Sequence, residues 1–137
     1  MLSGGCLCGA VRYEIDGGIT SIWLCHCSKC RRVTGSAFHP TALCRAQGFR
    51  FTRGEAEIER YASASGYTTH FCRRCGSPAP APLAGSDSLT LSLGTLDQDP
   101  GKRVIHHIFT GSQAPWYEIA DELPRFEQHA PRPKRAP

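Results

Sequence analysis

Apolar and polar side chains alternate with a period of two in several short runs along the chain. Ala10-Val11-Arg12-Tyr13-Glu14-Ile15 alternates and stops at Gly17-Gly18, a pair that permits a tight turn. Ile19 to Leu24 is rich in strand formers and delivers the chain to Cys25. Phe49-Arg50-Phe51-Thr52 and Ile58-Glu59-Arg60-Tyr61 alternate on either side of Gly54. Tyr67 to Phe71 leads into Cys72, Leu89 to Leu93 keeps the period of two, and Val104 to Phe109 is a further apolar run. Helix is expected in two places only: a short segment after Cys27, and a turn or two between Trp116 and Leu123. The pattern predicts a mainly antiparallel β domain with little helix.

Composition sharpens this picture. A chain of 137 residues can build one hydrophobic core, and 40% hydrophobic against 20% charged residues describes a sequence that packs. Fourteen glycines and ten prolines force many turns, which favours short strands. A single domain is expected over residues 1–127, followed by a flexible basic tail over 128–137 that has no apolar anchor. Arg132, Lys134 and Arg135 lie in that tail, so the body is closer to neutral than the net charge of +4, and nucleic acid is not an expected partner. No apolar run approaches the roughly 18 residues of a membrane span. Met1 to Gly5 lacks the basic and apolar regions of an export signal, so a cytoplasmic protein is expected.

The cysteines carry the chemistry. Eight thiols without an export signal are expected to be reduced, and clustered reduced thiols hold metal. The clusters are Cys6-Leu7-Cys8, Cys25-His26-Cys27-Ser28-Lys29-Cys30 and Cys72-Arg73-Arg74-Cys75-Gly76, with Cys44 alone. A C-x-x-C pair can place two sulfurs on one ion through a tight turn, and Gly76 suits such a turn. A C-x-C pair in a regular strand points both side chains to one face. One division of the ligands makes Cys6, Cys8, Cys72 and Cys75 a closed site and leaves Cys25, Cys27 and Cys30 as a site with a free position. Closed zinc sites are structural, and three-ligand sites are the catalytic type. Spacing alone does not fix this division. A redox disulfide at Cys72 and Cys75, or a second structural zinc completed by His26 or a distant histidine, uses the same residues. Cys44 reads as a small buried apolar side chain in a β segment. His70, His106 and His107 read as packing or surface residues.

Taken together, Gly4-Gly5-Cys6-Leu7-Cys8-Gly9-Ala10-Val11-Arg12-Tyr13, Cys25-His26-Cys27-Ser28-Lys29-Cys30-Arg31-Arg32 and Phe71-Cys72-Arg73-Arg74-Cys75-Gly76-Ser77 resemble the glutathione-dependent formaldehyde-activating enzyme family, also called the centromere protein V type domain. Gly94-Thr95-Leu96-Asp97 and the stretch from Pro115-Trp116 to Pro124 extend the resemblance over about Gly4 to Phe126. It implies an Mss4-like fold of small β-sheets around zinc. It also implies two zinc ions, with Cys6, Cys8, Cys72 and Cys75 on the structural one and Cys25, Cys27 and Cys30 on the catalytic-type one. The implied activity is that of a carbon–sulfur lyase acting on S-hydroxymethylglutathione or a related thiol adduct of an aldehyde. One segment departs from the family: Ala79-Pro80-Ala81-Pro82 stands where relatives usually carry a bulky apolar or aromatic pair, which puts the identity of the substrate in doubt.

Within that frame, Lys29, Arg31 and Arg32 are candidates to offset thiolate charge and to bind the carboxylates of glutathione. His26 is the candidate proton donor, with Ser28 orienting a water. A homodimer is left open. The competing reading is a non-catalytic zinc module that binds protein or nucleic acid; it requires the second metal site to be closed by a fourth side chain.

Overall fold

The structure, a computed structural model, describes residues 1–131. Strands β1 (Leu2–Gly5), β2 (Arg12–Ile15) and β5 (Phe49–Arg53) form an antiparallel sheet in the order β1-β2-β5. A five-stranded sheet, in the order β10-β3-β4-β9-β8, contains β3 (Ser21–Cys25), β4 (His39–Arg45), β8 (Ala81–Pro82), β9 (Ser88–Ser92) and β10 (His107–Ile108). Its neighbours are antiparallel except β10, which runs parallel to β3. Strands β6 (Ile58–Ala62) and β7 (Thr68–Cys72) pair as a separate ribbon. The one α-helix among the described residues, α1 (Ser28–Thr34), follows Cys27 and ends at Gly35 in the left-handed conformation, φ 61°. No helix among them is long and apolar enough to cross a membrane.

The alternation in sequence becomes the core. Tyr13 and Ile15 of β2, Ala42 and Cys44 of β4, and Leu89 and Leu91 of β9 turn inward from alternate positions and meet Ile19 and Ile22. Each large aliphatic side chain fully buried this way contributes about 1.5–3 kcal/mol. Cys44 is fully buried among them, as expected, and burial pushes its thiol up to about 11. The Gly94–Asp97 segment closes one end. Tyr13 Oη lies 2.7 Å from Thr95 Oγ1, and the Asp97 carboxylate accepts from Ser3 Oγ and from the Arg12 guanidinium. Gly54 shows how closely β5 approaches the chain before β2: it has φ 73°, and a Cβ there would lie 1.8 Å from the Ala10 carbonyl oxygen.

One strand was not singled out by the alternation, and two expectations are corrected. The central strand β4 has a weak signal because His39-Pro40-Thr41 interrupts the alternation and its inward residues, Ala42 and Cys44, are small. The run from Val104 to Phe109 contributes only His107 and Ile108 to a sheet. No helix forms between Trp116 and Leu123; the chain turns at Pro115–Trp116 and then runs irregularly. Side chains take up its backbone groups instead: Asp121 accepts from the Leu123 N–H, and Arg125 donates to the carbonyls of Ile119 and Asp121.

The chain on either side of residue 127 is tied to the edge of the large sheet. The N–H groups of Thr110 and Phe109 donate to the carbonyls of Phe126 and Gln128, and Ala130 packs beside Cys25, Cys30 and Ile108. Backbone hydrogen bonds hold this segment, so the lack of apolar side chains does not release it. Residues 132–137 of the expected tail lie outside the described residues.

His39 offers a test of this packing. Its ring nitrogens lie 2.6 Å from Thr41 Oγ1 and 2.5 Å from Ser92 Oγ, and burial holds it below its ordinary value of 6.5. Its contribution to stability is therefore present above about pH 6.5 and is lost as the pH falls toward the lower folded value, because the unfolded chain takes up the proton first. Urea unfolding between about pH 7 and pH 5 should show a smaller acid loss in His39→Gln than in the parent; parallel curves would contradict the assignment.

Candidate metal centres and an adjoining cavity

Cys6 and Cys8 occupy the turn after β1, not a strand. The Cys6 N–H donates to the Val11 carbonyl at 3.1 Å, the Gly9 N–H to the Cys6 carbonyl at 3.2 Å, and the Val11 N–H to Cys6 Sγ at 3.2 Å. Alternate residues of a strand stand about 6–7 Å apart; the turn brings the two sulfurs to 3.6 Å. Cys72 ends β7 and Cys75 follows in a second turn, closed by the Gly76 N–H on the Cys72 carbonyl at 2.8 Å, with Gly76 at φ 79°. Ser77 ties the two turns together. Its Oγ accepts from the Leu7 N–H at 3.0 Å and lies 3.3 Å from Cys75 Sγ. That hydroxyl, with the Ser77 backbone, holds the Cys75 thiol down to about 5. Ser77 was legible only as part of a motif, because its role depends on a partner remote in sequence.

All four sulfurs lie within 4.8 Å of one another, and Cys8 and Cys72 are 3.9 Å apart. A tetrahedron of sulfurs at about 2.3 Å from a zinc ion has edges of about 3.8 Å. The free thiols, their spacing and the donor chemistry fit a thiophilic metal, and none of the eight cysteines is in a disulfide. Cys72 and Cys75 thus meet Cys6 and Cys8 in one group of four thiols.

The second group is Cys25, Cys27 and Cys30, also within 4.8 Å of one another. Cys25 ends β3, Cys27 caps α1 by accepting the Cys30 N–H at 3.3 Å, and Cys30 lies in the first turn of the helix. Cys30 is held down to about 6 by hydrogen bonding from Cys25 and then from Tyr67, against its burial; Cys25 is pushed up by the same pairing and by burial. The Tyr67 oxygen stands 3.5 Å from Cys30 Sγ. Burial and then the neighbouring thiols raise the Tyr67 phenol, so it keeps its proton. Among the described residues, no histidine, carboxylate or further cysteine completes this group within the same span.

A cavity of about 420 Å³ opens against these three sulfurs. Ile108 and Phe109 form its apolar wall, and Lys29, Tyr67 and His129, with the hydroxyls of Ser28 and Ser112, supply its polar groups. Phe109 is the one non-glycine residue with positive φ, 55°, among those described, and its ring packs on His129 at 4.8 Å between centroids. A larger groove of about 620 Å³, lined by Phe49, Phe51 and Pro80, contains no sulfur.

Of the three candidate cations, only Lys29 lines the cavity. Each helical step turns about 100°, which carries Arg31 and Arg32 off the face of Cys30. Ser28 lines the cavity as expected, but His26 does not. Extended chain between Cys25 and Cys27 sends the intervening side chain to the opposite side, where His26 is fully buried and meets His107. His26, the candidate proton donor, therefore does not face the cavity. Tyr67 and His129, which no spacing rule singles out, occupy the place it was expected to fill.

Two comparisons bear on this arrangement. The sequence pattern of the family described as "Glutathione-dependent formaldehyde-activating enzyme" matches residues 1–112. The fold is similar to the crystal structure of a Rhodobacter sphaeroides protein at 26% identity and a TM-score of 0.58, over 71% of this chain and 89% of that one.

The second turn provides a direct test of the four-sulfur centre. Nothing lies within 4 Å of a Cβ built on Gly76, so an alanine there meets only the left-handed backbone penalty. Gly76→Ala should fold but lose about 1–2 kcal/mol in urea unfolding; unchanged stability would contradict the turn geometry.

Proposed function

Because the chain belongs to the glutathione-dependent formaldehyde-activating enzyme family, we propose that it is a zinc-dependent carbon–sulfur lyase acting on adducts between glutathione, or a similar thiol, and an aldehyde. Cys6, Cys8, Cys72 and Cys75 would hold a structural zinc, and Cys25, Cys27 and Cys30 a second one. The observation that carries this reading is the contrast between four gathered sulfurs and three that face a cavity. A zinc ion at the three-sulfur group supplies positive charge that favours a thiolate at neutral pH.

The side chains fit the remaining needs. In the synthetic direction the thiol loses its proton, its sulfur attacks the carbonyl carbon, a C–S bond forms, and the carbonyl electron pair moves to oxygen, which takes up a proton in turn. Cleavage reverses each step. Tyr67 keeps its phenolic proton and lines the cavity beside Cys30, so it is placed to hold that proton at Oη. Ile108 and Phe109 give the cavity an apolar wall against which the reacting carbon would lie. Lys29 offers a cation for a carboxylate of the thiol.

Zinc analysis of Cys27→Ala should show one ion lost of two in a folded protein. Glutathione should raise the melting temperature of the parent and leave that of the variant unchanged. Loss of both ions together would contradict the division into two separate centres, and silence of the parent toward millimolar glutathione and other small thiols alike would overturn the proposal in favour of a non-catalytic zinc module. Tyr67→Phe should lower kcat about a hundredfold with KM little changed; unaltered kcat would remove the assigned role.

A further inference from the structure

Two histidines at the edge of the five-stranded sheet are closed off from solvent, His26 at 0% and His107 at 1% exposure. His26 Nε2 and His107 Nδ1 are 2.8 Å apart, and His107 Nε2 stands 2.9 and 3.0 Å from the two carboxylate oxygens of Asp121. Proton positions follow from what each group can do. A carboxylate only accepts, so His107 carries its hydrogen on Nε2. With both rings neutral, His107 Nδ1 then accepts from His26 Nε2–H. This leaves His26 Nδ1 as a lone pair, and that atom is buried with no partner. A line of hydrogen bonds thus runs from a part-exposed carboxylate to the residue between Cys25 and Cys27.

The backbone reinforces the same contact. The His26 N–H donates to the Ile108 carbonyl at 2.9 Å, and the His107 N–H to the Pro124 carbonyl at 2.9 Å. Apolar rings in place of both histidines would fill the space without the unpaired buried nitrogen of His26, so stability alone does not account for the polar chain. What the chain does fix is the link that carries two sulfurs, since any rotation of residue 26 moves Cys25 and Cys27 together.

We infer that Asp121, His107 and His26 are positioning residues for the three-cysteine centre, and that their hydrogen bonds set how firmly it retains a divalent metal. The inference rests on the reading that these cysteines bind zinc. Asp121 lies beyond residues 1–112, outside the stretch that matches the family pattern. Groups that orient metal-bearing segments from behind typically change metal affinity about 10–100-fold when removed.

The test is zinc release to a chromogenic chelator from the fully loaded chain. The phase belonging to the three-cysteine centre is identified as the one absent in Cys27→Ala. Asp121→Ala should speed that phase by about 10–100-fold and leave the other phase unchanged. Asp121→Asn, whose amide oxygen still accepts from His107 and from the Leu123 N–H, should behave as the parent. His26→Phe, which fills the space without the hydrogen bond, should match Asp121→Ala. Adding Asp121→Ala to Cys27→Ala should lower the melting temperature, because His107 Nε2–H and the Leu123 N–H lose their acceptor, yet leave zinc release from the four-sulfur centre unchanged. Unchanged release in Asp121→Ala and His26→Phe, or equal acceleration of both phases, would overturn the inference. A parent chain that binds only one zinc would instead defeat the metal reading beneath it, and the inference with it.

Discussion

Sulfur atoms from distant parts of the chain converge at two points, and the placement of the smallest sheet depends on one of them. The β6–β7 ribbon has little core of its own, since most of β6 is exposed. An isolated two-stranded ribbon is marginal in water. Its firm attachment is at Cys72, whose sulfur lies beside Cys8 in the turn after β1. Tyr67 stands just before β7, at the other end of the same ribbon. Holding Cys72 therefore also holds the phenol that meets Cys30. A metal at the four-sulfur centre, with no part in bond making, would position a group of the other site through one strand.

The second centre is positioned by different means. Cys25, Cys27 and Cys30 lie within six consecutive residues, and a strand end followed by a helix cap brings them together locally. Their surroundings are not local. Tyr67 comes from the ribbon, Ile108 and Phe109 from the edge of the large sheet, and His129 from the end of the described chain. The strained backbone of Phe109 is held by its N–H on the Gln128 carbonyl and by its ring on His129. The segment after residue 126 thereby forms part of the cavity wall.

What could be read from the sequence follows the range of the interactions. Tyr13 and Ile15, or Leu89 and Leu91, announce inward faces because the alternation is local and the side chains are large. The cysteine clusters announce themselves because turn-based ligand pairs have fixed spacings. His39-Pro40-Thr41 hid the central strand because strand pairing there is decided by neighbours on both sides. His26 was misplaced because nearness in sequence to two ligands does not imply the same face. The packing of Gln128 to Ala130 was hidden because carbonyl groups do the holding, and every residue has one.

The central claim is that one sulfur cluster is complete and the other has room for a substrate thiol. X-ray absorption at the zinc edge of the loaded protein measures this directly. The account requires an average between three and four sulfurs per zinc for the protein alone, rising to four when glutathione is added. An average of four sulfurs before glutathione, or a nitrogen ligand that glutathione fails to displace, would contradict it.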